Sequence, residues 1–275
     1  MDILTKNTEK VFTGHTADMP YLSIDLLENT GLVSTGISLR EREDGSPVKV
    51  YWRDGENLSD IEAANDIFLP QFGTDRAHIV MPHQEHTAVV RAVGEKELGA
   101  CLDRSAIPAT DGLVTNVPGA ALLVYTADCV PLFFLDPVHK AIGLSHSGRK
   151  GTLAKIGRVT IETMAREYGS RPQDILCAVG PSICADCYEV GDEIEPEVRS
   201  AFGGETACRI MRRKDGKWHL DLWEANRLLL LDAGILPQHL TVTNVCTKCN
   251  VSALYSYRGD GRIINQIASI LVLKG

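Results

Sequence analysis

Apolar positions along the chain fall into short runs separated by polar turns. Four runs in the middle, Leu113–Thr115, Ala120–Thr126, Leu132–Leu135 and Ala141–Ser145, are continuous rather than alternating. That pattern predicts strands covered on both faces. Upstream, the first 58 residues read as strands and turns, with LSIDLL at Leu22–Leu27, LVSTGISLR at Leu32–Arg40 and a polar turn at Glu43–Pro47. Ser59 followed by Glu62 fits a capping box, so a helix is expected from Asp60 to about Gln71, with Gly73 as its stop. Strands at His78–Met81 and Thr87–Val93 flank the segment MPHQEHT, and Gly94–Pro108 reads as a loop or short helix.

Beyond the apolar runs the period lengthens. Leu153, Ile156, Val159, Thr160, Thr163 and Met164 mark one face of a helix from Gly151 to Tyr168, ended by Gly169. A strand at Ile175–Val179 follows, then a helix over Asp192–Ala201 and strands near Cys208–Met211 and Trp218–Leu220. Asp221, with Glu224 three residues on, opens another helix. Strands at Leu240–Val245, Ala253–Tyr257 and Ile263–Leu273 close the chain. Strands and helices interleave without strict βαβ alternation, and no internal repeat, low-complexity tract or linker interrupts them. The expectation is one domain of mixed α and β structure over residues 1–275.

Composition narrows the class of function. A 275-residue chain with 44% hydrophobic residues has ample material for a packed core. No apolar run reaches the roughly 18–20 residues that cross a bilayer, and MDILTKNTEK has neither the basic start nor the apolar stretch of a secretory signal. The expected location is the cytoplasm. A net charge of −8 argues against a nucleic-acid or anionic-membrane partner and for a small-molecule substrate. Eight cysteines in such a chain point to thiols and metal ligands rather than a disulfide framework.

The chemistry concentrates around the stretch YTADCVPLFFLDPVHKAIGLSHSGRKG, Tyr125 to Gly151. It reads as two strands joined by one turn, with Cys129 and His146 at their ends. His86, Cys129 and His146 each sit at a strand end beside small or polar residues. Two imidazoles and a thiolate are three of the four positions of a catalytic zinc site, the fourth being left to water or substrate. His83 is an alternative to His86, although in an extended segment residues three apart face opposite ways. Ser147-Gly148-Arg149-Lys150-Gly151 leads into the predicted helix, whose start offers unpaired N–H groups to an anion, or else is a solvated basic turn. Cys184–Cys187 and Cys246–Cys249 have CxxC spacing. They read either as free thiols or as a second zinc site, with nearly sixty residues between the pairs. Cys101, Cys177 and Cys208 look like fillers.

The phrases HQEHTAVV, DGLVT, TADCVPL, SHSGRKG, GPSICADCYEVG and CTKCNVSALYSYRGDGR, in that order from about Met81 to Leu273, carry a resemblance. The chain resembles the YfiH-like family of purine nucleoside phosphorylases, also described as polyphenol oxidases with a laccase domain. The resemblance implies a single-domain α+β sandwich and a metal held by His86, Cys129 and His146; the donor set itself suggests zinc, with copper as the alternative. It implies phosphorolysis of adenosine, inosine and methylthioadenosine, together with adenosine deamination. Purine nucleoside and phosphate are then the partners, with Cys129, His146 and Lys150 catalytic and Ser147, Arg149, Lys150 and Arg258 binding substrate. Where the family usually has HAGWRG this chain has HSGRKG, so Arg149 replaces a Trp and Lys150 an Arg; lysine keeps the charge but loses the bidentate fork. The family's N-terminal aromatic-Ser-Thr-Arg phrase is reduced to Val33-Ser34-Thr35-Gly36-Ile37.

Three other readings stay open. Cys129 activated by His146 would serve a cysteine hydrolase or deamidase, and His₂Cys is also the trigonal set of blue-copper proteins. A multicopper laccase would draw on His-x-His pairs, and eight histidines here form none. The non-enzymatic reading is a metal-holding domain that has drifted from catalysis.

Overall fold

The structure is a computed structural model that describes residues 3–7, 10–51, 57–101, 106–262 and 265–275. Two six-stranded sheets make its centre. In the first, Phe12–His15, Tyr21–Ile24, Val33–Ser38, Ile267–Leu273, Ala121–Thr126 and Ile79–Val80 lie side by side. In the second the order is Leu240–Val242, Leu176–Val179, Val130–Asp136, Ala141–Ser147, Gly112–Thr115 and Val90–Ala92. A small third sheet places Lys217–Leu220 between Glu189–Val190 and Met211–Lys214.

The continuous apolar runs follow from this layering. Side chains alternate across a strand, and here both faces are covered. In Ala121–Thr126, Leu122 and Val124 enter the core between the sheets, while Ala121, Leu123 and Tyr125 pack outward under the Leu58–Phe68 helix. In Val130–Asp136, Phe133 and Leu135 face the first sheet. Val130, Leu132 and Phe134 face a helical layer that includes Ile156, Ile161 and Met164 from Ile156–Tyr168 and Leu222 and Leu230 from Leu222–Asp232. The order is therefore helix, sheet, sheet, helices, an α+β architecture with apolar packing on both faces of its central strands.

Local signals fix several ends. Asp221 accepts a hydrogen bond from Glu224 N, as its capping position predicts, and Gly73 and Gly169 take the left-handed φ of 73° and 74° that ends their helices. Elsewhere the structure corrects the sequence reading. Asn57, not Ser59, caps the Leu58–Phe68 helix, which tightens into a 3₁₀ turn at Leu69–Phe72. Strand Tyr21–Ile24 gives way to a short helix at Asp25–Glu28 within the LSIDLL run. The helix expected from Gly151 to Tyr168 is two, Arg149–Leu153 and Ile156–Tyr168, separated at Lys155 with φ 63°. Cys208 lies in the Gly204–Ile210 helix, and the strand starts only at Met211. The expected strand Ala253–Tyr257 is instead a turn, buried from Ala253 to Ser256 with Tyr257 exposed, because the Asn250 carbonyl accepts from both Ala253 N and Leu254 N and winds its start up. Residues 263–264 of the expected last strand, and 102–105 of the Gly94–Pro108 segment, lie outside the described residues.

No helix among the described residues is long and apolar enough to cross a membrane. Phe133 is fully buried between the sheets. Phe133→Ala is expected to cost about 3–5 kcal/mol in urea unfolding, while Val138→Ala, on an exposed turn, stays within about 0.5 kcal/mol of the parent.

Candidate metal and active site

Strand register delivers two of the three predicted ligands. Val130 pairs with Ser147 and Pro131 with His146, so Cys129, one residue before its strand, comes beside Gly148. Alternation then sets the faces. Gly143, Ser145 and Ser147 point toward the helices, whereas Leu144 and His146 point toward the seam between the sheets. Phe133 and Leu135 place Cys129 on that same side by parity. His86 arrives from the loop before Val90–Ala92 with a left-handed φ of 60°. His86 Nε2 lies 3.9 Å from Cys129 Sγ, and the two imidazoles meet edge to face with ring centroids 4.8 Å apart.

Asp111 fastens the set. This fully buried carboxylate accepts from His146 Nδ1 at 2.8 Å, His86 N at 3.0 Å, Thr87 N and Thr87 Oγ1 at 2.7 Å each, and Glu85 N at 3.2 Å. One side chain thus fixes the orientation of one imidazole and the backbone turn that aims the other. Gln84 pins the same loop by exchanging two hydrogen bonds with the Tyr125 backbone. Gly148 leaves the room: a Cβ there would stand 2.9 Å from Cys129 Sγ and 3.0 Å from His86 Cδ2.

Charge couples the three side chains. Burial pushes the Cys129 thiol up, but the neighbouring His146 and His86 outweigh it and bring it down to about 6. Burial lowers His146, yet the Cys129 thiolate and the Asp111 carboxylate raise it to about 9. Asp111, raised by desolvation, is held well below the usual carboxylate range by its bonds to His146 and Thr87. Between those two values Cys129 and His146 stand as a thiolate–imidazolium pair.

The fit to a metal rests on donor chemistry and spacing. The ligand atoms of His86, Cys129 and His146 all lie within 4.8 Å of one another. Zn–S near 2.3 Å and Zn–N near 2.0–2.1 Å imply about 3.5 Å between tetrahedral donors, close to the Cys129–His86 separation. His146 bonds a carboxylate through Nδ1, which leaves Nε2 for an ion, the usual outer-shell arrangement of a metal-ligating imidazole. His86 is exposed and Cys129 partly so, leaving a fourth position open toward solvent. These residues fit a three-ligand zinc centre.

The remaining candidates are spread unevenly. Lys150 is exposed beside Gly148. The Ser147 hydroxyl is committed inward, to Thr152 Oγ1 at 2.9 Å and Asn226 Oδ1 at 3.0 Å, because its position in the strand faces the helices. Arg149 pairs with Glu197 on the outside of its short helix. Arg258 is exposed, donates to the Glu189 carbonyl and places its guanidinium carbon over the Tyr188 ring, 5.2 Å from the centroid. His83 turns to Glu85 and stays out of the cluster. Cys184, Cys187, Cys246 and Cys249 come together in a second group.

Sequence reasoning missed Asp111, Asp128 and Tyr188. Asp128, with φ 83°, accepts from Thr247 Oγ1 and Ser256 Oγ at 2.6 Å and from Arg258 N at 2.7 Å. Tyr188 is raised mainly by burial and lies under the Arg258 guanidinium, in the neighbourhood of the Cys129 and Asp128 charges. All three stand inside the recognised phrases DGLVT, TADCVPL and GPSICADCYEVG, the signal that was available for them.

Known proteins resemble this chain in sequence and in fold. Residues 48–274 match the family described as multi-copper polyphenol oxidoreductase laccase. The purine nucleoside phosphorylase YlmD of Bacillus subtilis (strain 168) is 34% identical over 218 residues, 78% of this chain and 78% of that protein. The adenosine deaminase RL5, from an unknown prokaryotic organism, is 34% identical over 193 residues, 70% of this chain and 73% of that one. The crystal structure of the hypothetical protein YfiH from Bacillus licheniformis superposes with a TM-score of 0.87 at 27% identity, covering 97% of this chain and all of that one.

Two measurements probe the site directly. In metal-free protein the rate of Cys129 alkylation by iodoacetamide should fall as pH drops through about 6; an inflection near the ordinary thiol value of about 8.5 would contradict the ion pair. Asp111→Asn should weaken zinc binding by about 10–100-fold in a chelator competition, with the far-ultraviolet circular dichroism retained.

Proposed function

The chain belongs to the multi-copper polyphenol oxidoreductase laccase family in its YfiH-like form, and from that premise we propose that it is a zinc-dependent purine nucleoside phosphorylase with adenosine deaminase activity. Adenosine, inosine and methylthioadenosine are its proposed nucleosides. The observation that carries the reading is the convergence of His86, Cys129 and His146 on one partly open point, braced by Asp111. The names of the relatives point the same way, since two of them are called after the activities proposed.

Zinc, when bound, supplies a Lewis acid that lowers the cost of charge developing on the reacting oxygen. This chain's residues do the rest. Asp111 keeps the proton of His146 on Nδ1, so that Nε2 faces the site. Lys150 and Arg258 supply the positive charge for phosphate, and the bond from Arg258 N to Asp128 holds the second of them near the mouth. Lysine in place of the family's arginine gives a point charge without a fork, so phosphate binds less specifically than in HAGWRG relatives. Phosphate and adenosine would leave as adenine and ribose 1-phosphate; water and adenosine would leave as inosine and ammonia.

A second reading has one observation behind it: Cys129, His146 and Asp111 stand in series, as in nucleophile–base–orienter sets. Chelation separates the two. The zinc reading expects activity lost on chelation and restored by zinc, whereas the hydrolase reading expects activity that survives chelation and is lost on alkylation.

Purified protein with zinc and adenosine is expected to yield adenine when phosphate is present, and inosine without it. Absence of product from adenosine, inosine and methylthioadenosine at high enzyme concentration would refute the proposal. Lys150→Ala should raise the KM for phosphate by about tenfold, the equivalent of about 1.4 kcal/mol, with deamination spared.

A further inference from the structure

We propose that Cys184, Cys187, Cys246 and Cys249 form a second, purely structural zinc site that clamps two loops beside the first. Their four sulfurs all lie within 4.8 Å of one another, although the CxxC pairs are nearly sixty residues apart in sequence. A tetrahedral Zn–S₄ centre with bonds near 2.3 Å asks for sulfurs about 3.8 Å apart. Cys187 Sγ and Cys249 Sγ are already at 3.6 Å.

The backbone around the cluster is arranged for thiolates. Cys246 Sγ accepts from Cys184 N at 3.3 Å and from Cys249 N at 3.4 Å, so amides of both pairs converge on one sulfur. Each CxxC closes a tight turn: the Cys184 carbonyl accepts from Cys187 N and Tyr188 N, and the Cys246 carbonyl from Asn250 N. Amide donors to sulfur are the outer shell that supports metal-bound thiolates. Lys6, paired with Asp186, places a positive charge close to Cys184 and Cys249 and offsets part of the charge of four thiolates. Binding displaces the thiol protons to solvent and leaves the metal's oxidation state unchanged. Four thiolates fill the tetrahedron, so no position remains for substrate.

The clamp has a clear mechanical purpose. Its first loop carries Ser182, Ile183 and Tyr188, and its second carries Thr247 and Asn250. Ile183 N bonds the Asp128 carbonyl, Thr247 Oγ1 bonds the Asp128 carboxylate, and Asn250 bonds both backbone groups of Leu4. Asp128 precedes Cys129 directly. Holding the two cysteine pairs together therefore holds the wall on which Cys129 and Arg258 depend.

The experiment is a metal count on full-length protein purified in reducing buffer with zinc. The parent is expected to carry two zinc ions per chain. Cys249→Ser should carry one, and still lose that one on the further change His86→Ala; His86→Ala alone should also carry one. Cys208→Ser, an exposed cysteine outside both groups, should keep two. Retention of the first zinc in Cys249→Ser reports that the variant is folded. Cobalt substituted into His86→Ala should show the intense sulfur-to-cobalt absorption of a tetrathiolate centre. A parent-like zinc count in Cys249→Ser would overturn the proposal. So would a parent with a single zinc in which Cys187 and Cys249 are found as a disulfide. Neither result bears on nucleoside turnover, which is measured separately.

Discussion

The site depends on a single buried carboxylate. Asp111 sits at the start of the Gly112–Thr115 strand with no exposure to water, and its charge survives there because five donors surround it. An isolated buried charge is costly, and breaking such a pair by removing one partner typically costs about 3–5 kcal/mol. The arrangement is therefore close to all-or-none. The loop bearing His86 folds over Asp111 or leaves an unpaired charge behind, and His146 takes one orientation for the same reason. A left-handed φ at His86 is tolerable on these terms, since three consecutive backbone amides on one carboxylate leave the chain little choice.

The two sheets supply what Asp111 cannot, a fixed position for the thiol and the second imidazole. His146 lies in, and Cys129 directly precedes, one of two neighbouring strands whose register is set along seven residue pairs, and a slip of either strand by one residue would turn its ligand toward the helices. The slip is blocked on both faces. Phe133, Leu135, Ile142 and Leu144 fill the seam between the sheets, while Ser145 bonds Thr160 and Ser147 bonds Thr152 on the helical side. Packing far from the chemistry thus decides which atoms meet at its centre. It also explains why Ser147, adjacent to His146 in sequence, has its hydroxyl in a buried network.

Much of this was legible in the residues. Continuous apolar runs announced doubly covered strands, and Asp221, Gly73 and Gly169 marked real ends because their signals are local. The trio of His86, Cys129 and His146 could be singled out as a set, because together they make three quarters of a zinc site, although each alone reads more readily as a buried thiol or an exposed imidazole. What escaped was non-local. Asp111 looks like any turn aspartate until five donors are seen to converge on it. Nothing in the sequence around Ala253–Ser256 says that Asn250 winds it into a buried turn, and apolar residues in a buried turn imitate a strand. Arg149 and Lys150 have the same local signature, yet only contact with Glu197 tells that one is engaged elsewhere.

Asp128 ties the two cysteine-bearing regions into one mechanical unit. It immediately precedes Cys129, adopts a φ of 83°, and collects donors from Thr247, Ser256 and Arg258, while its carbonyl takes Ile183 N. A non-glycine residue in that conformation is costly unless its surroundings over-determine it, and here four separate bonds do. Three of those bonds come from the chain between Thr247 and Arg258, and the fourth from the loop that begins the Cys184–Cys187 pair. The position of Cys129 is consequently set from two sides, by strand register on one and by this hub on the other. Register alone would leave the residue before the strand free to swing, since ladder bonds end at Val130. The hub removes that freedom, and it can do so only if the loops that supply its donors are themselves held. That requirement is why two cysteine pairs, remote in sequence and adjacent in space, belong to the same argument as the site they stand beside.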